Sequence, residues 1–395
     1  MVKAMYLFLI GRDPNLSLLE LYTYFKTNKI NYTILKFTNK YLLLDFKARI
    51  NPKKMILDLG GTTRIINMYK TTNEINKDFI DYLDFNEPKK FNFAVSSLNV
   101  DEDKLEEVVN YLKAYFKSLK VKAIYKIPRK HKIDKKKATR GTIINPDNYY
   151  TWKLDNGFEL FVLKLEDKYY FGKTVGCFNP KQNIFKDKNR PLKRNLHSTS
   201  FRLTRIMVNL LGLAKNKKML DPFCGTGTFL IEGLLSNLDV IGIDKSSEMC
   251  VVSKKNVEWA IGKFKLKNTY KVINSDSTKT NFKADAVVFE PYMGPFLDKL
   301  PNHVKAKNIV SSLSKLYYDI FKNLNKNLKS KSKIVCVLPE IRTYDDKLFN
   351  ISNSVFLKNS FQLVDTTKYD ITNPISYNTP SGSKINRYIY ILEKI

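Results

Sequence analysis

Short apolar runs and amphipathic stretches alternate along the first 85 residues. The runs AMYLFLI, NYTILKF, KYLLLDF and RIINMYK predict strands, and SLLELYTYFKT, a segment from Asn51 and another near Ile75 predict helices. That is an α+β pattern of small-domain size. In GRDPNLSLLEL the chain changes direction at Asp13 and Pro14 before a helix starts. From Phe91, the strand FNFAVSS precedes a helix whose apolar residues Leu105, Val108, Val109, Leu112, Tyr115, Phe116 and Leu119 recur at i, i+3, i+4 spacing, a stripe that faces a core. VKAIYKI, FELFVLKL and KYYFGKTVG continue the strand pattern. Residues 177–197 hold two Pro, several Asn and six basic residues with hardly any apolar periodicity, and predict a linker.

Behind that linker the alternation becomes regular. The helix FRLTRIMVNLLGLA leads to a strand ending at Asp221, a glycine turn, and an amphipathic helix from about Thr228. Three more strands follow: VIGID ending in Asp244, YKVINSD ending in Asp276 beside Ser277, and ADAVVF ending in Glu290-Pro291-Tyr292. Four successive strands, each ending in a polar residue, place these groups along the carboxyl edge of one parallel sheet, where open α/β sheets bind ligands.

Length and composition bound the rest. At roughly 150 residues per domain, 395 residues predict two to three domains, and 43% hydrophobic with 27% charged residues is enough to bury real cores. Lys and Arg number 68 against 38 Asp and Glu, a net charge of +30, which predicts a polyanionic partner. Only 11 of the 68 are Arg, so biased codon usage is a second source of the excess Lys. The densest basic run is 129–140, with Arg129, Lys130, Lys132, Lys135, Lys136, Lys137 and Arg140 against one acid, and it reads as a phosphate-tracking patch or a solvated loop. Four scattered Cys without CxxC, and three His without ligand spacing, predict neither a disulfide framework nor a metal site. No apolar run approaches the ~18 residues of a membrane span, and Ala4 to Ile10 lacks a cleavage pattern, so the expected location is cytoplasmic.

A glycine turn at a strand-to-helix junction lets a nucleotide-like ligand approach the backbone and the helix N-terminus. Here Gly225-Thr226-Gly227 is followed by Thr228, Phe229 and Leu230, so the third glycine of the dinucleotide fingerprint is missing, which argues against a dehydrogenase. Asp244 sits 17 residues after Gly227, where an acid can hold both ribose hydroxyls.

Residues from about Phe201 onward resemble a class I S-adenosylmethionine methyltransferase of the amino-methylating type, with DPFCGTGT as the cofactor loop and EPYMGP in place of the D/N-P-P-Y motif. The whole chain resembles the THUMP-containing tRNA guanosine-10 N2-methyltransferases, through GRDPNLSLLEL, YYFGKTV, RPLKRN, DPFCGTGTFLIEG, KKNVEWA and RYIYILEK in order. The resemblance implies a ferredoxin-like domain over 1–85, a THUMP RNA-binding domain over 86–176, the linker 177–197, and over 198–395 a Rossmann-like domain with a mostly parallel sheet and an antiparallel last strand. It implies S-adenosylmethionine as cofactor, bound by Asp221, Phe223, Gly225, Gly227 and Thr228 in the loop, by Asp244 and Lys245 at the ribose, and by Asp276 and Ser277 at the adenine. Thr199 and Ser200 match the family's first motif near the methionine end, and Ser200 is also an N-cap by type. Asp221 has a second role open to it, shaping the loop. Cys224 reads as a small buried thiol. The implied partner is tRNA, met by a monomer, with a small activator protein as some relatives use.

Guanine N2 has a lone pair delocalised into its ring and attacks a sulfonium methyl poorly. A side-chain oxygen and a backbone carbonyl that accept its two N–H groups stabilise the charge that develops, and Glu290 and the Pro291 carbonyl are candidates, with Tyr292 to stack on the extracted base. Aligned without a gap, Glu290 replaces the motif's Asp, Tyr292 its second Pro and Met293 its aromatic. Two alternatives fit the same residues: another nucleic-acid aminomethyltransferase, acting on rRNA guanosine or DNA adenine, and an inert RNA-binding relative.

Overall fold

The strands of the front half pair edge to edge across the whole of it. A computed structural model describes residues 4–83, 88–127, 143–192, 199–377 and 383–395. By its contacts the chain forms two compact units, the first made of Met1–Gly11, Asn31–Leu57 and Thr62–Ile184, the second of Arg12–Ile30, Asp58–Gly61 and Phe185–Ile395.

In chain order β1 (Ala4–Ile10) and α1 (Pro14–Thr27) are followed by β2 (Tyr32–Phe37), β3 (Tyr41–Phe46), α2 (Pro52–Asp58) and β4 (Thr62–Thr72). Then come β5 (Lys90–Leu98), α3 (Glu102–Ser118), β6 (Lys122–Tyr125), α4 (Pro146–Thr151), β7 (Phe158–Leu165) and β8 (Lys168–Cys177). These eight strands form one sheet in the order β2-β3-β1-β4-β8-β7-β5-β6. β6 and β7 run parallel to β5, and the other pairs are antiparallel. The strands expected in 1–85 and in 86–176 therefore share a sheet, joined where β4 pairs with β8 from Arg64↔Cys177 to Thr72↔Tyr169. The α3 stripe Leu105, Val108, Val109, Leu112 and Phe116 packs on Phe93, Val95, Leu160 and Phe171, while Leu119, expected in that stripe, is the exposed C-cap. A buried polar knot ties the sheet: Glu159 accepts from Arg64 Nε at 3.2 Å, Ser96 Oγ at 2.7 Å and Thr174 Oγ1 at 2.7 Å.

The second unit takes α1 and the Asp58–Gly61 turn from the front of the sequence. The cause is a buried carboxylate. Glu20 on α1 accepts the N–H groups of Gly60 at 2.7 Å and Gly61 at 2.6 Å and the Asn209 amide at 2.7 Å, and Arg202 Nε donates to the Gly60 carbonyl at 2.6 Å. A helix, α5 (Pro180–Asn189), occupies the segment expected as a linker. Its buried contact is polar, a Lys186 to Glu232 ion pair shared with Arg205 at 2.9 Å, so an apolar period carries no sign of it.

The rest of this unit is α6 (Phe201–Leu210), β9 (Lys218–Asp221), α7 (Thr228–Leu235), β10 (Asp239–Asp244), α8 (Ser247–Phe264), β11 (Tyr270–Asn274) and β12 (Ala286–Phe289). After these come α9 (His303–Asn327), β13 (Lys333–Arg342), β14 (Leu348–Asn350), α10 (Ser354–Leu357), β15 (Phe361–Leu363), β16 (Ile375–Ser376) and β17 (Ile385–Lys394). The main path runs β11-β10-β9-β12-β13-β17-β15. β9 to β13 are parallel, and β17 lies antiparallel beside β13 and β15, as expected of the last strand. Leu313, Tyr317, Ile320, Phe321 and Leu324 of α9 recur at helical spacing and bury against β12 and β13. Among the described residues, no helix is long and apolar enough to cross a membrane.

Candidate active site

The strand order reverses between β9 and β12, and such a switch point opens a crevice beyond the carboxyl ends of the strands. The loop after β9 fills one side of it. Asp221 Oδ1 accepts the Phe223 N–H at 3.0 Å, Gly227 N–H donates to the Cys224 carbonyl at 2.7 Å, and Gly225 N–H donates to Asp244 Oδ2 at 2.9 Å. Gly227 holds a left-handed φ of 82°, and a Cβ there would lie 2.8 Å from Ser253 Oγ, so this turn needs glycine on both counts.

Residues far off in sequence hold the loop from behind. Arg190 donates to the Thr226 and Thr228 hydroxyls at 3.3 and 3.1 Å. Asn256, fully buried on α8, donates to the Thr226 carbonyl at 2.9 Å, donates to the Leu192 carbonyl at 2.9 Å and accepts the Leu192 N–H at 3.0 Å. Arg190 and Leu192, which open RPLKRN, thus meet Thr226 and Thr228 of the glycine loop and Asn256 of KKNVEWA in one hydrogen-bonded cluster.

Opposite lies the segment after β12. One Glu290 oxygen accepts from the Thr199 hydroxyl, and the other lies 3.3 Å from Arg387 Nε on β17. The buried Tyr317 hydroxyl donates to the Tyr292 carbonyl at 2.7 Å and pins the turn, while the Tyr292 ring is 56% exposed. A cleft of about 500 Å³ separates the two sides. Asp221 is fully buried, its Oδ2 has no hydrogen-bond partner among the described residues, and burial, with Asp244 and Glu290 nearby, holds its pKa well above the carboxylate range. Burial also raises the Cys224 thiol, so it stays protonated and is no nucleophile.

Of the residues picked out by sequence, Thr199, Asp221, Phe223, Gly225, Thr228, Glu290, Pro291 and Tyr292 line this cleft. Ser200 does not: its hydroxyl caps α6 by accepting the Leu203 N–H at 3.3 Å. Asp244, Lys245, Asp276, Ser277 and Gly227 lie outside the cleft's lining. Asp244 Oδ1 accepts the Ser246 N–H at 2.9 Å, Asp276 Oδ1 is taken by Thr278 N–H and hydroxyl at 2.9 and 2.7 Å, and Ser277 is buried with its carbonyl bonded to Asn323. The basic residues Arg129, Lys130, Lys132, Lys135, Lys136, Lys137 and Arg140 fall outside the described residues. Sequence reasoning missed Arg387, Lys384 and Phe296 in the lining, and Arg190 and Asn256 behind the loop. The signal for Arg387 was a lone Arg opening the apolar run RYIYILEK.

This strand order, with an antiparallel strand inserted beside β13 and a glycine loop after β9, is the mixed α/β fold of the class I methyltransferases. Residues 194–356 match the family model UPF0020: RMKL-like, methyltransferase domain. The chain is 28% identical over 223 residues to a tRNA (guanine(10)-N2)-dimethyltransferase of Methanothermobacter thermautotrophicus, covering 54% of this chain and 61% of that one. It is 30% identical over 190 residues to the protein of that name from Methanocaldococcus jannaschii, covering 46% of each. The matches thus span about half the length of these relatives. TrmN from Thermus thermophilus shares the fold over 99% of this chain and all of its own, with a TM-score of 0.53 at 13% identity.

Proposed function

We propose that this protein is an S-adenosylmethionine-dependent methyltransferase acting on an exocyclic amine of a nucleic acid, and that its target is N2 of a guanosine in tRNA, at position 10. The observation that carries the reading is the cleft in which Asp221, with one carboxyl oxygen unpartnered, faces Glu290-Pro291-Tyr292. The donor set fits the cofactor. A buried carboxylate with an unused oxygen is costly alone, and an α-ammonium group beside it would restore the missing interaction. Thr199 and Thr228 offer hydroxyls, and Phe223 a ring. Asp244, which ties the loop to β10, retains lone pairs for hydroxyl donors.

Bound S-adenosylmethionine supplies an electrophilic methyl group on a sulfonium. Glu290 and the Pro291 carbonyl accept the two N–H groups of the target amine, which draws its lone pair out of conjugation. With the methyl group supplied in this way, Glu290 would take the proton that leaves the nitrogen. Thr199 and Arg387 hold the carboxylate in place for this, since a misaligned acceptor loses most of its value. The exposed Tyr292 ring is the surface on which an extracted base stacks. We read residues 1–85 and 86–176 as the ferredoxin-like and THUMP portions that grip the RNA, with 129–140 tracking phosphates. Similarity to relatives with this tRNA activity supports the target.

The test incubates purified protein with radiolabelled S-adenosylmethionine and unmodified tRNA transcripts, beside Glu290→Ala, and maps the label. Label on one guanosine N2, absent in the variant, is the expected result. Label on adenine or on rRNA alone would transfer the reading to another nucleic-acid amine, and cofactor and RNA binding without label, even with an added activator protein, would overturn it.

A further inference from the structure

A second cavity of about 530 Å³ adjoins the catalytic cleft, and Tyr292, Gly294 and Pro295 are walls of both. That size is in the range of small-ligand sites. Its far wall is the first turns of α9, where Lys305, Asn308 and Ser312 stand at i, i+3 and i+7, on one helix face, all exposed. Its floor is apolar, formed by Ile309 and Leu313. The floor is reached because the shared wall has no side chain at Gly294, which has a φ of 102° and whose Cβ would lie 3.1 Å from Ile309 Cγ2. Asn302 Oδ1 accepts the Lys305 N–H at 2.9 Å, which turns its amide nitrogen into the donor left at the rim.

We infer that this groove holds the base of the nucleotide next to the methylated one, an inference that rests on the function proposed above. The two cavities share a wall, so an occupant of the groove is chained to whatever enters the cleft. The lining offers what a nucleobase takes: an exposed Tyr292 ring and an apolar floor for its faces, and amide, hydroxyl and ammonium groups for its edges and its phosphate. It contains one Lys and no Asp or Glu, so a polyanion meets no repulsion there. The groove would therefore set the local sequence preference, while Glu290 and Pro291 act on the amine.

The experiment uses the full chain, S-adenosylmethionine and tRNA transcripts in which the nucleotide 5′ or 3′ of the mapped target is made abasic. Transfer to the intact transcript comes first, and its absence would count against the proposed function and not against the groove alone. With transfer established, removing the base on one side is expected to raise KM for RNA about tenfold or more, the scale of a single base stacked on an aromatic ring. In Ser312→Trp, which fills the groove, and in Asn308→Ala, the intact transcript should show the raised KM, and base removal should add little to it. Cofactor affinity measured by calorimetry and the melting temperature should stay at the wild-type values. The groove assignment is overturned if neither abasic transcript differs from the intact one, or if the abasic penalty survives whole in Ser312→Trp. It is equally overturned if the substitutions spare RNA kinetics and abolish only stimulation by an added protein.

Discussion

Arg387 Nε lies 3.3 Å from one oxygen of Glu290, and the Thr199 hydroxyl donates to the other. The carboxylate at the cleft wall is thus gripped on both sides by residues 91 and 97 positions away. Its extra methylene, relative to the Asp of the common motif, makes such bracing necessary, since a longer side chain has more rotamers to lose. Arg387→Met should lower kcat about tenfold with cofactor affinity intact, whereas Glu290→Ala should lower it about 10²-fold or more. Single-turnover rates with saturating RNA separate the two effects, and an unaltered rate in Arg387→Met would remove its positioning role.

Asp221 makes a pH prediction. Burial raises its pKa well above the usual 3.8 in the folded chain. Between the ordinary and the raised value the folded state binds the extra proton, so cofactor-free stability falls as pH rises through that window. Asp221→Asn should flatten this fall, and S-adenosylmethionine should oppose it in the wild type by pairing the carboxylate. Melting curves from about pH 4, the ordinary carboxylate pKa, up to about pH 8, with and without cofactor, read both effects.

Asn256→Ala removes three hydrogen bonds behind the glycine loop after β9. Each buried group left unpaired costs about 1–3 kcal/mol, so the melting temperature should drop and cofactor affinity fall about tenfold. Calorimetric titration that found wild-type affinity would detach this cluster from cofactor binding.

In the first unit, Glu159→Ala leaves Arg64 buried at 1% exposure without its carboxylate. Breaking a buried pair from one side costs about 3–5 kcal/mol. Denaturant unfolding should register this loss, and Arg64→Met combined with Glu159→Leu should recover much of it.

For the segment 129–140, replacing Lys135, Lys136 and Lys137 by Ala should weaken RNA binding and flatten its dependence on salt, by about 0.7–0.9 in slope for every phosphate that is no longer neutralised, with cofactor affinity preserved. Equal slopes in variant and wild type would make the run a solvated loop.

Much of this site could be read along the chain because it is local. DPFCGTGT is one strand, one turn and one helix start, so its glycines and Asp221 are set by contiguous backbone. Alternation of apolar runs likewise located β9, β10 and β12 and the α3 stripe. Periodicity failed where the buried contacts are polar. α5 hides in an Asn- and Lys-rich stretch because Lys186 is buried by an ion pair, and α1 joins the second unit through Glu20, a charged residue among the buried positions of its helix.

By itself the sequence determined the strands β9, β10 and β12, the glycine loop after β9 and the Glu290-Pro291-Tyr292 turn at a strand end, because each is specified by neighbours in the chain. Only the tertiary structure decided which distant side chains stand on that turn and loop. Arg387 reaches Glu290 because the last strand is inserted antiparallel beside β13, and Arg190 and Asn256 reach Thr226 because α5 and α8 pack around α7. Sheet order and helix packing fix those meetings, and they are set by the burial of whole faces rather than by any spacing along the chain.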